Sequence, residues 1–423
     1  MSYLSKELLE KNVQIVSNGL AGSRSQERSV HTDLVCLSHL RWDFVYQRPQ
    51  HLLSRCAQKK RVFFLEEPVF GSKTPALQVD RREENLFVVT PQLPEANDSV
   101  AVNSILRALT DELFLQKRIE QYLLWYYTPM ALPFTRHLQP RAVIYDCMDE
   151  LSAFKGAPSA LKSYEQELFA LADVVFTGGQ SLYEAKRRQH KNIHAMPSSV
   201  DVAHFAKARL PQLEPADQSG IPHPRLGFFG VIDERMNLEL LTRLADARPD
   251  WHLVMVGPVV KIAPETLPQR PNIHYLGGKS YQELPAYLAG WDVALLPFAL
   301  NESTRFISPT KTPEYLAAGK PVISTSILDV VRPYGELKLV QIADTSSDFV
   351  KAAEIALAEN ADARIRRSDV FLANLSWDRT WARMNKLIDE ALSVGNSAAQ
   401  ITQSAPQMSK NVRLTEAVSV AGD

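Results

Sequence analysis

The sequence predicts an α/β protein of two doubly wound, Rossmann-like parallel-sheet domains facing each other across a cleft. Three observations carry this. Short β-branched or aromatic runs alternate with helical stretches along most of the chain. The alternation stops over Leu210–Pro224, a proline-rich stretch with little periodicity, and restarts after it. The length of 423 residues exceeds one typical core and suits two.

Composition narrows the class. With 45% hydrophobic and 22% charged residues the chain reads as an ordinary globular protein. A net charge of −1 argues against a dominant nucleic-acid surface, so no nucleic-acid partner is expected. Cys36, Cys56 and Cys147 are odd in number and widely spaced, without a zinc or disulfide pattern, which fits a reducing cytoplasm. The first residues carry no apolar signal-peptide core, and no apolar run approaches a membrane span.

In chain order, residues 1–29 are expected to form a flexible extension. The first domain is expected over 30–209. Its strands are read at Asp33–Ser38, Arg61–Glu66, Leu86–Thr90, Tyr122–Tyr127, Ala142–Asp146, Val174–Thr177 and Ile193–Met196. A helix with a break is expected between Val102 and Tyr122. Residues 210–224 are the linker. The second domain, 225–375, restarts with strands at Leu226–Gly230, Trp251–Val256, Ile273–Leu276 and Val293–Pro297. Residues 376–393 are expected to form a last helix, and 394–423, rich in Ser, Ala, Gln and Asn, a disordered tail.

The stretch Pro297–Thr325 concentrates the chemistry. Ser308 is a good N-cap, Pro309 suits the first helical position, and Gly319 supplies a left-handed stop before the strand that starts at Pro321. A helix start directed out of a parallel sheet favours phosphate. Lys311 in its first turn conflicts with the helix dipole unless an anion lies between them. Glu314 shares a face with Lys311 and suits the two hydroxyls of a ribose. An ordinary surface Lys–Glu pair is the plain alternative. Ligands of such sheets bind outside the carboxyl ends of the strands, here in the cleft between the domains.

Several segments together resemble a glycosyltransferase of the GT-B architecture, family 4-like (glycosyl transferases group 1). They are NIHYLGGKSYQELPAYLAGWDVALLPF from Asn272, SPTKTPEYLAAGKPVIST from Ser308, Met196–Phe205, and Ser376-Trp377 before the last helix. The loop HLRWDFVYQRPQHL from His39 and the segment YDCMDELSAF from Tyr145 resemble a bacterial subgroup, the teichuronic acid biosynthesis glycosyltransferases. The resemblance covers roughly Asp33 to Leu392. It implies a nucleotide-diphospho-sugar donor, most commonly uridine-linked, and a cell-surface or exopolysaccharide glycan acceptor, lipid-linked. It implies no cofactor and no metal, and no Asp-x-Asp triad stands out. It also implies that the last helix crosses back onto the first domain. One departure stands out: the family places a second Glu eight residues before the ribose-binding one, and Phe306 occupies that position here.

Against this background the donor-binding candidates are Gly230, Arg235, Ser308, Thr310, Lys311 and Glu314. Gly230 ends the first strand of the second domain and lets backbone approach phosphate. Arg235 offers a bidentate partner for a diphosphate. Asp149 and Asp146, at the end of a first-domain strand, are the catalytic candidates, as base or polar anchor for an acceptor hydroxyl. His39, Arg41, Trp42, Asp43 and Arg48 crowd one loop and are candidates for acceptor or sugar binding. Lys186, Arg187, Arg188 and Lys191 form a basic patch compatible with peripheral contact at the cytoplasmic face of an inner membrane; a solvated face is the plain alternative. Two other functions fit the same plan: a sugar-nucleotide epimerase or phosphorylase, and a non-catalytic nucleotide-sugar-binding subunit. No G-x-G-x-x-G follows a predicted strand, which argues against a dehydrogenase.

Overall fold

The computed structural model describes residues 14–17, 32–95 and 98–403. Among these residues two sheets form. The first comprises β1 (Gln14–Ser17), β2 (Asp33–Leu37), β3 (Val62–Leu65), β4 (Val69–Phe70), β5 (Ala76–Glu83), β6 (Leu86–Leu93), β7 (Tyr122–Tyr126), β8 (Ala142–Cys147), β9 (Val174–Thr177) and β10 (Ile193–Ala195). Their order is β1-β5-β6-β3-β2-β7-β8-β9-β10, with β4 beside β6. All pairs are parallel except β5–β6. The second sheet comprises β11 (Arg225–Phe229), β12 (His252–Val256), β13 (Ile273–Gly277), β14 (Val293–Leu296), β15 (Val322–Ser324) and β16 (Gln341–Ile342), ordered β13-β12-β11-β14-β15-β16. The order reverses between β2 and β7 in one sheet and between β11 and β14 in the other. These reversals open the crevices where such sheets take ligands.

Both faces of the first sheet are covered, which is why its central strands read as unbroken apolar runs. Leu34, Cys36 and Phe64 point to one face and Val35, Leu37 and Phe63 to the other, following the two-residue period of a strand. The first face packs on α1 (Arg48–Ala57); the second packs on α2 (Ser99–Lys117) and α3 (Leu161–Leu171). Helix α2 is continuous over 19 residues, so the expected break is absent. Asp98 caps it, accepting from the Val100 and Ala101 N–H groups. Strand β5 was not expected. It lies on one flank of the sheet and its second half, Asp80–Glu83, is charged, so it carries no apolar run to signal a strand.

The boundaries also differ from those expected. Val200, Phe205 and Ala208 already belong to the core of the second domain, so the crossing starts near Val200 and not at 210. Within the linker, Ala216–Ser219 forms a helical turn and Gln218 is buried. Before this crossing the first domain carries α4 (Gln180–Lys186). After α5 (Leu238–Ala247), α6 (Lys311–Ala317), α7 (Ser346–Ala358) and α8 (Ala361–Leu372), the chain returns. Trp377, Met384 and Ile388 of α9 (Trp377–Gln403) pack on the α1 face of the first sheet. Helix α9 continues ten residues beyond the expected start of the disordered tail, because adding a turn to a formed helix costs far less than nucleating one. Within the expected N-terminal extension, Gln14–Ser17 pairs with β5. The rest of that extension and residues 404–423 lie outside the described residues.

The two domains touch across the cleft. Asp329 of the second domain accepts from the Ser181 N–H at 2.9 Å and so caps α4 of the first. Arg332 pairs with Glu184 on the same helix at 3.1 Å. Gly179, just before α4, allows this approach: a Cβ there would stand 2.0 Å from an Asp329 carboxylate oxygen. Phe306 packs against the core of the first domain and is absent from the cleft lining.

Candidate active site

A cleft of about 690 Å³ lies between the domains, within the range of small-ligand sites. The first domain contributes the loop after β2, from Trp42 to Gln47. The second contributes Phe229–Val231 after β11, Val256–Pro258 after β12, Gly278–Leu284 after β13, and Arg235, Thr310, Lys311 and Glu314. A smaller recess of about 100 Å³ is lined by Arg48, Asp149, Ser198, Arg235, Ser308, Thr310 and Lys311, with other residues of both domains.

Local sequence explains the floor. Gly230 has φ +135, a conformation that side chains disfavour. A Cβ on Gly230 would lie 2.1 Å from the Lys311 Cε, so the glycine gives the lysine its place. Gly257, at φ +148, presses on Gly230 in turn: its Cβ would lie 1.8 Å from the Gly230 carbonyl oxygen. The Lys311 ammonium sits 5.6 Å from the centre of the Phe228 ring. Helix α6 is held to β11 by the Phe229 N–H, which donates to the Tyr315 hydroxyl at 2.9 Å. The expected N-cap is corrected here. The helix begins at Lys311 with Thr310 before it, and Ser308 instead lines the recess. The turn that precedes it closes from the Thr312 N–H to the Pro309 carbonyl.

The side chains of Lys311 and Glu314 face the cleft; neither makes a hydrogen bond or a close ion pair within the described protein, and they act on each other only through space. Glu314 is only 6% exposed. Burial pulls the Lys311 ammonium below its ordinary range and pushes the Glu314 carboxyl above its own. Arg235 is braced by Asp233, with Nη2 to Oδ2 at 2.6 Å, and its guanidinium lies 5.6 Å from the Phe154 ring of the opposite domain.

Asp149 lines the recess without a side-chain hydrogen bond. Burial pushes its carboxyl up to about 6, against the pull of Arg235, Arg48 and Lys311. Because the folded pKa is raised, this carboxyl supports stability fully only below its ordinary value near 4, and the contribution fades as pH rises to about 6. Asp149→Asn should remove that decline. Urea unfolding at pH 4, 5, 6 and 7 checks this, as parallel curves for the two proteins would contradict it.

Asp146 and Arg48 take other roles than those expected. Asp146 is fully buried and grips Arg48, with contacts of 2.9 Å from Nε and 2.8 Å from Nη2. Arg48 Nη1 donates to the Met196 carbonyl at 2.7 Å. All of its charge is spent inside the domain, and it only borders the recess. Arg41 is likewise committed, to Glu66 at 3.0 Å and to the Glu67 and Pro68 carbonyls. His39 does not line the cleft; burial and the Lys261 charge lower it to about 4, so it is neutral at pH 7. Trp42 and Asp43 do line the cleft. Trp42 rests edge-on against Phe64, and Asp43 pairs with Arg82 at 2.5 Å. The basic patch loses Lys186, which is buried between Glu150 and Glu165, each at 2.8 Å, while Arg187, Arg188 and Lys191 are exposed.

Gly257, Tyr281 and Ser198 belong to the site without having been singled out. Gly257 was legible, since it follows β12 as Gly230 follows β11. Tyr281 carried no signal of its own.

Crevices at both strand-order reversals, opened toward each other, define the GT-B class of glycosyltransferase fold. Solved structures agree. Sucrose-phosphate synthase from Thermosynechococcus elongatus superposes with a TM-score of 0.66 at 14% identity, covering 86% of this chain and 100% of that one. A trehalose-6-phosphate structure from E. coli, bound with UDP-2-fluoro glucose, gives 0.62 at 12% identity over 85% and 99%. WaaG, a glycosyltransferase involved in lipopolysaccharide biosynthesis, gives 0.56 at 12% over 88% and 100%.

Residues 223–359, within the second domain, match the family of glycosyl transferases group 1. A Bacillus subtilis protein named for teichuronic acid biosynthesis glycosyltransfer is 27% identical over 266 residues. That alignment takes in 57% of this chain and 65% of the relative, just under two thirds of its length. No helix among the described residues is long and apolar enough to cross a membrane.

Proposed function

We propose that the protein is a glycosyltransferase that moves a hexosyl group from a nucleotide-diphospho-sugar, uridine-linked, to a cell-surface or exopolysaccharide glycan carried on a lipid. The observation that carries this reading is the pair Lys311 and Glu314: two recessed, unpaired charges at the switch point of the second sheet. Unpaired charge in a recess is costly unless a ligand completes it. In this reading Lys311 and Arg235 hold the diphosphate and stabilise it as it leaves, in place of a metal ion. Gly230 admits the phosphates, and Ser308 and Thr310 border them. Glu314 accepts from the ribose hydroxyls. Asp149 faces the acceptor hydroxyl in the recess, as base or anchor, and Trp42 and Asp43 contact the acceptor or sugar from the opposite wall. Arg187, Arg188 and Lys191 remain as a smaller basic surface for peripheral contact with anionic lipid.

A non-catalytic nucleotide-sugar-binding subunit is the second reading. It is favoured by Phe306, which replaces a carboxylate of the family pattern and docks on the first domain. It would bind donor without turnover.

The test is a thermal-shift screen with nucleoside diphosphates and their sugars. A ligand at about 100 times its Kd adds roughly 2.7 kcal/mol of stability. Glu314→Ala should weaken donor binding about ten- to a hundredfold, the range for a hydrogen bond to a charged acceptor. Absence of any shift with every nucleotide would count against both readings.

A further inference from the structure

A buried ion cluster adjoins the segment that carries Asp149, and charge balance does not explain it. Lys186, the last residue of α4, holds Glu165 of α3 with its Nζ at 2.9 and 2.8 Å from the two carboxylate oxygens. Glu165 also accepts from the Tyr145 hydroxyl of β8 at 2.8 Å. Glu165 alone would satisfy the Lys186 charge. Yet Glu150, in the loop after β8, brings a second carboxylate to 2.8 Å from the same ammonium. Its other oxygen accepts from the Ser152 hydroxyl at 2.7 Å, inside the turn Leu151–Ala153. The rest of the segment is held as well. The Cys147 thiol donates to the Asp149 carbonyl at 3.7 Å. Gly178 lets the chain pass closely: a Cβ there would lie 2.0 Å from the Met148 carbonyl oxygen. At the far end, the Phe154 ring meets Arg235 and Lys261 of the second domain at 5.6 and 5.4 Å from its centre. Lys186 has a firm base of its own, since Asp329 of the second domain caps the start of α4.

The Asp149 carboxylate has no such holder. It makes no side-chain hydrogen bond, so its place in the recess is set by its backbone, and the residue that follows it is the one Lys186 grips. We propose that Glu150, held by Lys186, is a positioning residue that keeps the Asp149 carboxyl in the recess, where an acceptor hydroxyl would meet it. Glu150 lines neither the recess nor the cleft, so it acts through Asp149 and does not touch substrate. This inference rests on the reading of Asp149 as base or anchor. It gives a reason for two carboxylates on one buried ammonium, an arrangement whose desolvation cost folding alone does not require.

The test needs no ligand. Urea unfolding of the full chain is followed at pH 4, 5, 6 and 7, with Asp149→Asn made in three backgrounds: wild type, Glu150→Ala and Glu150→Gln. Glu150→Ala leaves Lys186 paired with Glu165, so the fold should survive. In each background the gap between the protein and its Asp149→Asn form isolates the Asp149 carboxyl. That carboxyl is desolvated and feels Arg235, Arg48, Lys311 and Asp146, so wild type should lose stability relative to Asp149→Asn as pH rises from 4 to 7. Glu150→Ala should let Asp149 turn to water and cut this change to less than half. Glu150→Gln should keep it, because the amide oxygen still accepts from Lys186 and the amide NH2 still reaches the Ser152 hydroxyl. An equal change in all three backgrounds overturns the inference. An equal cut in both Glu150 variants also overturns it, because the charge of Glu150 and not its grip would then act on Asp149. A flat gap in wild type overturns it as well, since no held carboxyl would be there to position. The reading of Asp149 as base or anchor is judged separately, by the turnover of Asp149→Asn, and no unfolding outcome depends on it.

Discussion

Arg48→Ala should destabilise the protein by about 3–5 kcal/mol, the cost of leaving one member of a buried ion pair alone. Asp146 lies at 0% exposure and Arg48 is its direct partner. Removing the guanidinium leaves a carboxylate with no water, and frees the Met196 carbonyl, which accepts from Arg48 just before the chain crosses to the second domain. Asp146→Asn should cost less, because an amide of the same shape is still an acceptor on one side. A paired replacement, Arg48→Met with Asp146→Leu, should recover much of the loss, since an apolar pair of similar volume removes both desolvation penalties. Urea unfolding of the single and paired variants reads this directly. A small loss in Arg48→Ala would mean that the pair is hydrated in solution and would return Arg48 to the list of groups free to bind ligand.

Lys311→Met is expected to move stability and activity in opposite directions. Turnover should fall about 10²–10³-fold, the range for deleting one preorganised charge that stabilises a leaving group. Stability of the ligand-free protein should rise, because an unpaired ammonium held beside Gly230 and Phe228 is replaced by an apolar side chain of similar length. The pH dependence gives a second readout. Burial lowers the pKa of Lys311 in the folded state, so its contribution is complete above its ordinary value and lost as pH falls through the folded one. The gap between wild type and Lys311→Met should therefore widen as pH is lowered from 10 to 7. A variant less stable than wild type at pH 7 would show that attraction to Glu314, Asp233 and Asp149 outweighs the cost of burying the ammonium, and would undercut the donor site built on an unsatisfied Lys311.

The legible part of the site follows strand ends. Gly230 after β11 and the Lys311–Glu314 pair after β14 stand where a parallel sheet reverses its strand order, and a glycine or a helix start at a strand end can be read from neighbouring residues alone. Asp149 was legible in the same way, three residues past Asp146 and just past the end of β8. Asp146 and Arg48 turn to each other for a reason the local sequence does not show. Their types and loop positions suit ligand binding, but 98 residues separate two side chains that satisfy each other. Lys186 repeats this: it sits in a run of basic residues, yet its side chain turns inward to Glu150 and Glu165.

What the sequence determined by itself was local and periodic. It placed most strands and helices, the glycine turns under the cleft and the two-domain plan, because each rests on residues within a few positions of one another. What only the tertiary structure decided was pairing: which charges cancel inside a domain and which face the cleft alone, and that Phe306 and Asp329 reach across to the other domain. The physical reason is that burial and ion pairing depend on distances between residues far apart in the chain. A charge's local context states only that it must be satisfied somewhere.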